Sequence, residues 1–116
     1  MTRSPITTHV LDTARGMPAQ DVPVALEYST DGKDYARLAS SATNADGRVA
    51  DLLPADHQLA PGIYRLTFDT KTYLSGQRSP VFFPAVSIAF EITTPDSHYH
   101  GPLLLSPFGY STYRGS

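Results

Sequence analysis

Apolar and polar side chains alternate in three stretches of the chain. Val22, Val24, Leu26 and Tyr28 stand against Pro23, Ala25, Glu27 and Ser29. A period of two puts each set on its own face, which predicts a half-buried β-strand. Tyr64, Leu66 and Phe68 against Arg65, Thr67 and Asp69 repeat the pattern. So do Val86, Ile88, Phe90 and Ile92 against Ser87, Ala89, Glu91 and Thr93. Residues 6–12, 35–42, 48–52, 98–105 and 109–114 predict further strands with less regular patterning. About eight short strands between turns imply an all-β antiparallel sandwich or barrel. The one predicted helix is short, Thr70–Ser75, with Gly76 as its stop signal. Residues 54–62 read as loop.

Turn chemistry supports the strand reading. Thr30-Asp31-Gly32-Lys33 separates two strands as a hairpin would, with Gly32 free to take positive φ. Asn44-Ala45-Asp46-Gly47 and Pro107-Phe108-Gly109 are two more turns. Neither an internal repeat nor a linker interrupts the pattern, so residues 1–116 are expected to form a single domain.

Composition narrows the chemistry. With no cysteine, disulfide scaffolds, thiol nucleophiles and iron–sulfur clusters are out. A net charge of −2 gives no footprint for nucleic acid or an anionic membrane. No segment approaches the roughly 18 apolar residues of a membrane span. No apolar signal-peptide core follows the first residues, so a cytoplasmic protein is expected. Charged residues make up 17%, below the roughly 25% of typical domains. Such a shortage on a small domain suggests that another subunit covers part of the surface.

The candidate chemistry lies with histidine and arginine. His98 and His100 are two apart and share one face of a strand, and His9 sits mid-strand. His57 falls in the loop and is expected to be exposed. Two histidines at this spacing could chelate zinc, with His9 as a third ligand, although a hydrogen-bonded surface histidine is the more ordinary reading. Arg48 closes the Asn44–Gly47 turn, a rigid position for a substrate clamp or simply a solvated hairpin arginine. There is no G-x-S-x-G elbow, phosphate-binding glycine loop or H-E-x-x-H helix. The C-terminal stretch 108–116 is rich in aromatics, which suggests that it docks rather than frays.

Four motifs in order resemble one family. They are Thr8-His9-Val10-Leu11-Asp12-Thr13, Thr43-Asn44-Ala45-Asp46-Gly47-Arg48, His98-Tyr99-His100-Gly101-Pro102-Leu103-Leu104-Leu105-Ser106-Pro107 and Tyr113-Arg114-Gly115-Ser116. Together they resemble the transthyretin-like proteins, and the last resembles the mark of their 5-hydroxyisourate hydrolase branch. The resemblance implies a transthyretin-like (prealbumin) sandwich of two four-stranded antiparallel sheets with one short helix. It implies a homotetramer, a dimer of dimers, and hydrolysis of 5-hydroxyisourate in urate degradation to 2-oxo-4-hydroxy-4-carboxy-5-ureidoimidazoline, with neither metal nor organic cofactor. The implied catalytic residues are His9, Arg48 and His100. The implied substrate-binding residues are His98, Tyr113, Arg114, Gly115 and Ser116. Gly101 departs from the pattern, because the family commonly has a β-branched residue there. Two other readings stand beside this one: a non-catalytic carrier of small ligands on the same fold, and a zinc-dependent hydrolase or zinc store built on His98 and His100.

Overall fold

Two sheets face each other in the computed structural model, which describes residues 3–116. The first joins β1 (Ile6–Asp12), β8 (Tyr99–Ser106) and β9 (Gly109–Thr112). Two short strands, β2 (Met17–Pro18) and β5 (Arg48–Val49), pair with the other edge of β1. The second sheet runs β4-β3-β6-β7, from β3 (Pro23–Ser29), β4 (Ala36–Ala42), β6 (Gly62–Phe68) and β7 (Val86–Ile92). The alternation in the sequence becomes the core directly. Val24, Leu26, Tyr64, Leu66, Phe68, Val86 and Ile92 point inward from the second sheet, against Ile6, Val10, Leu103 and Leu105 from the first. All are essentially removed from water, and each large apolar side chain so buried contributes about 1.5–3 kcal/mol. On the outer face of the second sheet Arg65 pairs with Glu27 at 2.9 Å, which keeps that face polar.

The sandwich departs from a purely antiparallel plan at one place. β1 and β8 run parallel, with Thr7 opposite His100 and Val10 opposite Leu103. The cause is topological. β7 ends in the second sheet, and the chain crosses to the first over residues 93–98. It enters β8 beside the start of β1, where Tyr99 N–H donates to the Pro5 carbonyl at 2.9 Å. A crossover between sheets, unlike a hairpin, leaves the direction of pairing free.

The helix α1 (Thr70–Gly76) is capped by Asp69, whose carboxylate accepts from the Thr72 N–H at 3.1 Å. Tyr73 on this helix donates its hydroxyl to the buried Asp12 carboxylate at 2.7 Å, tying the helix to the end of β1.

The turn before β5 positions one functional candidate. Asn44 Oδ1 accepts from the Asp46 and Arg48 backbone N–H groups at 2.9 and 3.0 Å. Gly47 takes φ +75°, and its carbonyl accepts from Val10 N–H at 2.7 Å. A side chain at 47 would collide with the Val10 carbonyl oxygen. Only glycine lets this turn lie against β1 and set Arg48 opposite His9. Replacing Gly47 with alanine is therefore expected to lower folding stability by more than about 2 kcal/mol, through positive-φ strain plus collision. Denaturant titration measures the loss. An unchanged midpoint would show that the turn has room this geometry denies it.

Candidate active site

Along β1 the residues alternate between core and outer face. Ile6 and Val10 go inward, and Thr7 and His9 go outward. The parallel register brings Thr7 directly beside His100. The Thr7 hydroxyl lies 2.8 Å from His100 Nδ1 and 3.2 Å from His98 Nε2. His9 is paired with Arg48 across β1 and β5. A cleft of about 180 Å³ opens here, lined by Arg3, Thr7, Arg48, His100 and Ser116. The structure thus gathers Arg48, His100 and Ser116 at one outer cleft, with His9 and His98 flanking it.

Electrostatics set the protonation of the three rings. His100 has its pKa lowered from the ordinary 6.5, first by burial and then by the cation of Arg48. His9 is lowered by burial and by Arg48, against the opposing pull of Asp46. His98 is lowered by burial and by Arg3. All three are neutral imidazoles at pH 7, able to accept a proton. His57, expected to be exposed, is half-buried and faces His98 and Arg3 across a second cleft. Among the described residues no three His, Cys, Asp or Glu side chains group as a metal-ligand set. His9, His98 and His100 share a neighbourhood without forming a chelate. The acidic turn residue Asp31 accepts from the Lys33 and Asp34 N–H groups at 2.8 and 3.0 Å, which holds its carboxyl at about 2. That carboxylate closes a turn.

The C-terminal tetrapeptide divides between two sides of β8. Gly115 N–H donates to the His100 carbonyl at 2.8 Å, forming an isolated bridge. A Cβ on Gly115 would lie 2.6 Å from His100 Cδ2, so the tail backbone packs directly on the imidazole. Ser116 continues into the histidine cleft. Tyr113 and Arg114 instead line a cavity of about 280 Å³ between the sheets, with Leu66, Ile88, Phe90 and Gly101. The Arg114 guanidinium sits 4.5 Å from the centre of the Tyr99 ring, a cation–π contact beside His100. Gly101 belongs to the same cavity. A Cβ there would meet only Leu66 Cδ1, at 3.4 Å, so the missing side chain leaves space between the sheets. The strand stays anchored, because the Thr8 hydroxyl donates to the Gly101 carbonyl at 2.7 Å. Thr7 is the site residue that the sequence motifs do not single out. Its only signal is position, two residues before His9 on the same strand face.

Fold and motifs together define a class. Residues 6–115 match the model of the HIUase/transthyretin family, and the chain belongs to that family. A 5-hydroxyisourate hydrolase from Mus musculus is 46% identical over 97% of this chain and 96% of its own length. The Arabidopsis thaliana uric acid degradation bifunctional protein TTL is also 46% identical over 98% of this chain, which spans 38% of that larger protein. Among solved structures, Klebsiella pneumoniae 5-hydroxyisourate hydrolase superposes with a TM-score of 0.81 at 37% identity, covering 100% of both chains. Sea bream transthyretin in complex with thyroxine superposes with a TM-score of 0.88 at 32% identity, over 97% of this chain and 95% of that one.

Two outcomes follow from the site geometry. Gly115→Ala is expected to push the His100 ring off Thr7 and to cut turnover by about tenfold or more. Circular dichroism should stay native, since the residue lies outside the apolar core; full activity would refute the contact. Stability should also depend on pH with a definite sign. Each of the three histidines binds protons less readily when folded than when unfolded. Their contribution is fully present above about 6.5 and is lost as pH falls through the lowered folded values. Thermal melts between pH 7 and pH 5 should show this decline, and a flat profile would contradict the burial of the rings.

Proposed function

We propose that the chain is a metal-free hydrolase that opens 5-hydroxyisourate to 2-oxo-4-hydroxy-4-carboxy-5-ureidoimidazoline in urate degradation. The observation that carries this reading is the cleft itself: His100, Arg48 and Ser116 on the outer face of β1 and β8, with His9 across from Arg48. The full-length likeness to named hydrolases supports the same conclusion. Sharing a fold with transthyretin supports the carrier reading less, because function belongs to the site and not to the fold.

The chemistry follows from the groups present. His100 is neutral, and Thr7 orients its ring at Nδ1, so Nε2 takes a proton from water. The water oxygen bonds to a ring carbonyl carbon of the substrate. Arg48 donates to the oxygen on which negative charge grows, and its planar fork suits that acceptor. As the carbon–nitrogen bond breaks, the proton held on His100 passes to the leaving nitrogen. One water is consumed, the new carboxyl group loses its proton to solvent, and the His100 ring returns to its starting state. His9 orients the substrate beside Arg48. His98 supports the histidine cluster, and Gly115 and Ser116 close the wall of the cleft. Tyr113 and Arg114 brace the tail by packing against the opposite side of β8.

The same reading makes residues 1–116 one working domain of a cytoplasmic homotetramer, a dimer of dimers. Among the described residues no helix is long and apolar enough to cross a membrane. Among the described residues the outer edges of β7 and β9 have no strand partner. Phe82, Phe108, Tyr110 and Tyr113 are all exposed, at 64%, 68%, 44% and 59%. Unpaired edges and exposed aromatics are what a subunit interface covers.

The deciding experiment generates 5-hydroxyisourate in situ with uricase and follows its ultraviolet decay. Added protein should accelerate the decay. His100→Asn or His9→Asn should remove most of the effect, about 10²-fold or more for the base. Native mass should be about four times the 12.6 kDa chain. Unchanged decay with folded tetrameric protein would overturn the hydrolase reading and favour ligand binding.

A further inference from the structure

Thr7 makes contacts on both sides. Thr7 is buried, at 5% exposure, and its hydroxyl lies within hydrogen-bond reach of two imidazoles, His98 Nε2 at 3.2 Å and His100 Nδ1 at 2.8 Å. A hydroxyl carries one proton. It can donate to one ring, and from the other it must accept. The two facing nitrogens therefore cannot both be bare, and when Thr7 donates to one ring the other must present its N–H.

We propose that Thr7 and His98 are positioning residues that set the tautomer of His100 through this single hydroxyl proton. The inference rests on the hydrolase reading above and deepens it. In the working arrangement His100 donates its Nδ1–H to Thr7 Oγ1, and Thr7 donates its own proton to a bare His98 Nε2. His100 then presents an unprotonated Nε2 to water. When His98 gains a proton from solvent at Nε2, that nitrogen becomes a donor to Thr7. The Thr7 proton, no longer held by His98, is then free to turn toward His100 Nδ1. His100 releases its Nδ1 proton to solvent and takes one at Nε2, with no net change in its charge. The base is then blocked without any movement of the backbone.

The surroundings suit this arrangement. His98 faces Arg3, His57 and Asp96 across its own cleft. His100 faces Arg48, His9, His98 and Arg3. The nearby cations Arg3 and Arg48 favour neutral rings, which the working arrangement requires. The network is part-buried, which favours a defined set of donors over exchange with water.

The test uses the full chain. Thr7→Val keeps the β-branched shape and removes the hydroxyl. It should lower kcat by about tenfold or more while KM stays within about twofold. Thr7→Ser, which restores the hydroxyl, should recover most of the rate. Nitrogen-15 imidazole spectra should show the Nδ1–H form of His100 in the parent protein and the Nε2–H form in Thr7→Val. His98→Ala should make the acid limb of the kcat–pH profile less steep, by on the order of one proton. A purely structural role would move neither the tautomer nor that steepness. Parent-like kcat, tautomer and pH profile in Thr7→Val would overturn the proposal. If Thr7→Val does not fold, the Nε2–H form in the parent, or an unaltered acid limb in His98→Ala, overturns it equally. Failure of the parent to hydrolyse the substrate would instead sink the hydrolase reading, and the spectra of the parent would still decide the hydrogen-bond arrangement.

Discussion

The parallel pairing of β1 with β8 is the constraint on which the site depends. It is the pairing that places Thr7 beside His100 and the tail on the far side of that ring. A shift of one residue would turn every side chain on one strand to the opposite face. Val10 on β1 and Leu103 on β8, buried opposite each other, prevent the shift, because whichever strand slipped would carry its own apolar residue out of the core. The apolar packing between the sheets thus fixes the polar geometry outside them. Arg48 reaches the same place by a different route, through a glycine turn seated against the Val10 carbonyl.

Much of the fold was legible from side-chain period. The alternation at 22–29, 64–68 and 86–92 became β3, β6 and β7, and the short helix appeared at Thr70–Gly76. Segments whose pairing is decided at long range were less legible. The expected strand over 48–52 shrinks to Arg48–Val49, because beyond Val49 the chain leaves β1 and Leu52 and Leu53 turn into the core. The expected strand from residue 98 begins at Tyr99, where bonding to Pro5 starts. The direction of β8 depends on the crossover from the other sheet and leaves no trace in local pattern.

The site was legible in the same unequal way. His9, Arg48 and His100 carry side chains whose chemistry is conspicuous in a sequence without cysteine. Thr7 is one of many threonines, and only its neighbour across 93 residues of chain gives it a role. The division of the C-terminal tetrapeptide was hidden for a similar reason. Its four residues are contiguous in sequence, yet the Gly115 bridge to His100 sends them to two sides of one strand.

Between Tyr99 and Gly101, β8 is a partition one strand thick. A polar cleft lies on one side and an open, mostly apolar pocket on the other. Filling voids is ordinarily a dependable way to harden a protein. Here a side chain added at position 101 would point into that space and first meet Leu66 Cδ1, 3.4 Å away. Robustness can therefore be adjusted from the apolar side of β8 and turnover from the polar side, with one strand keeping the two apart.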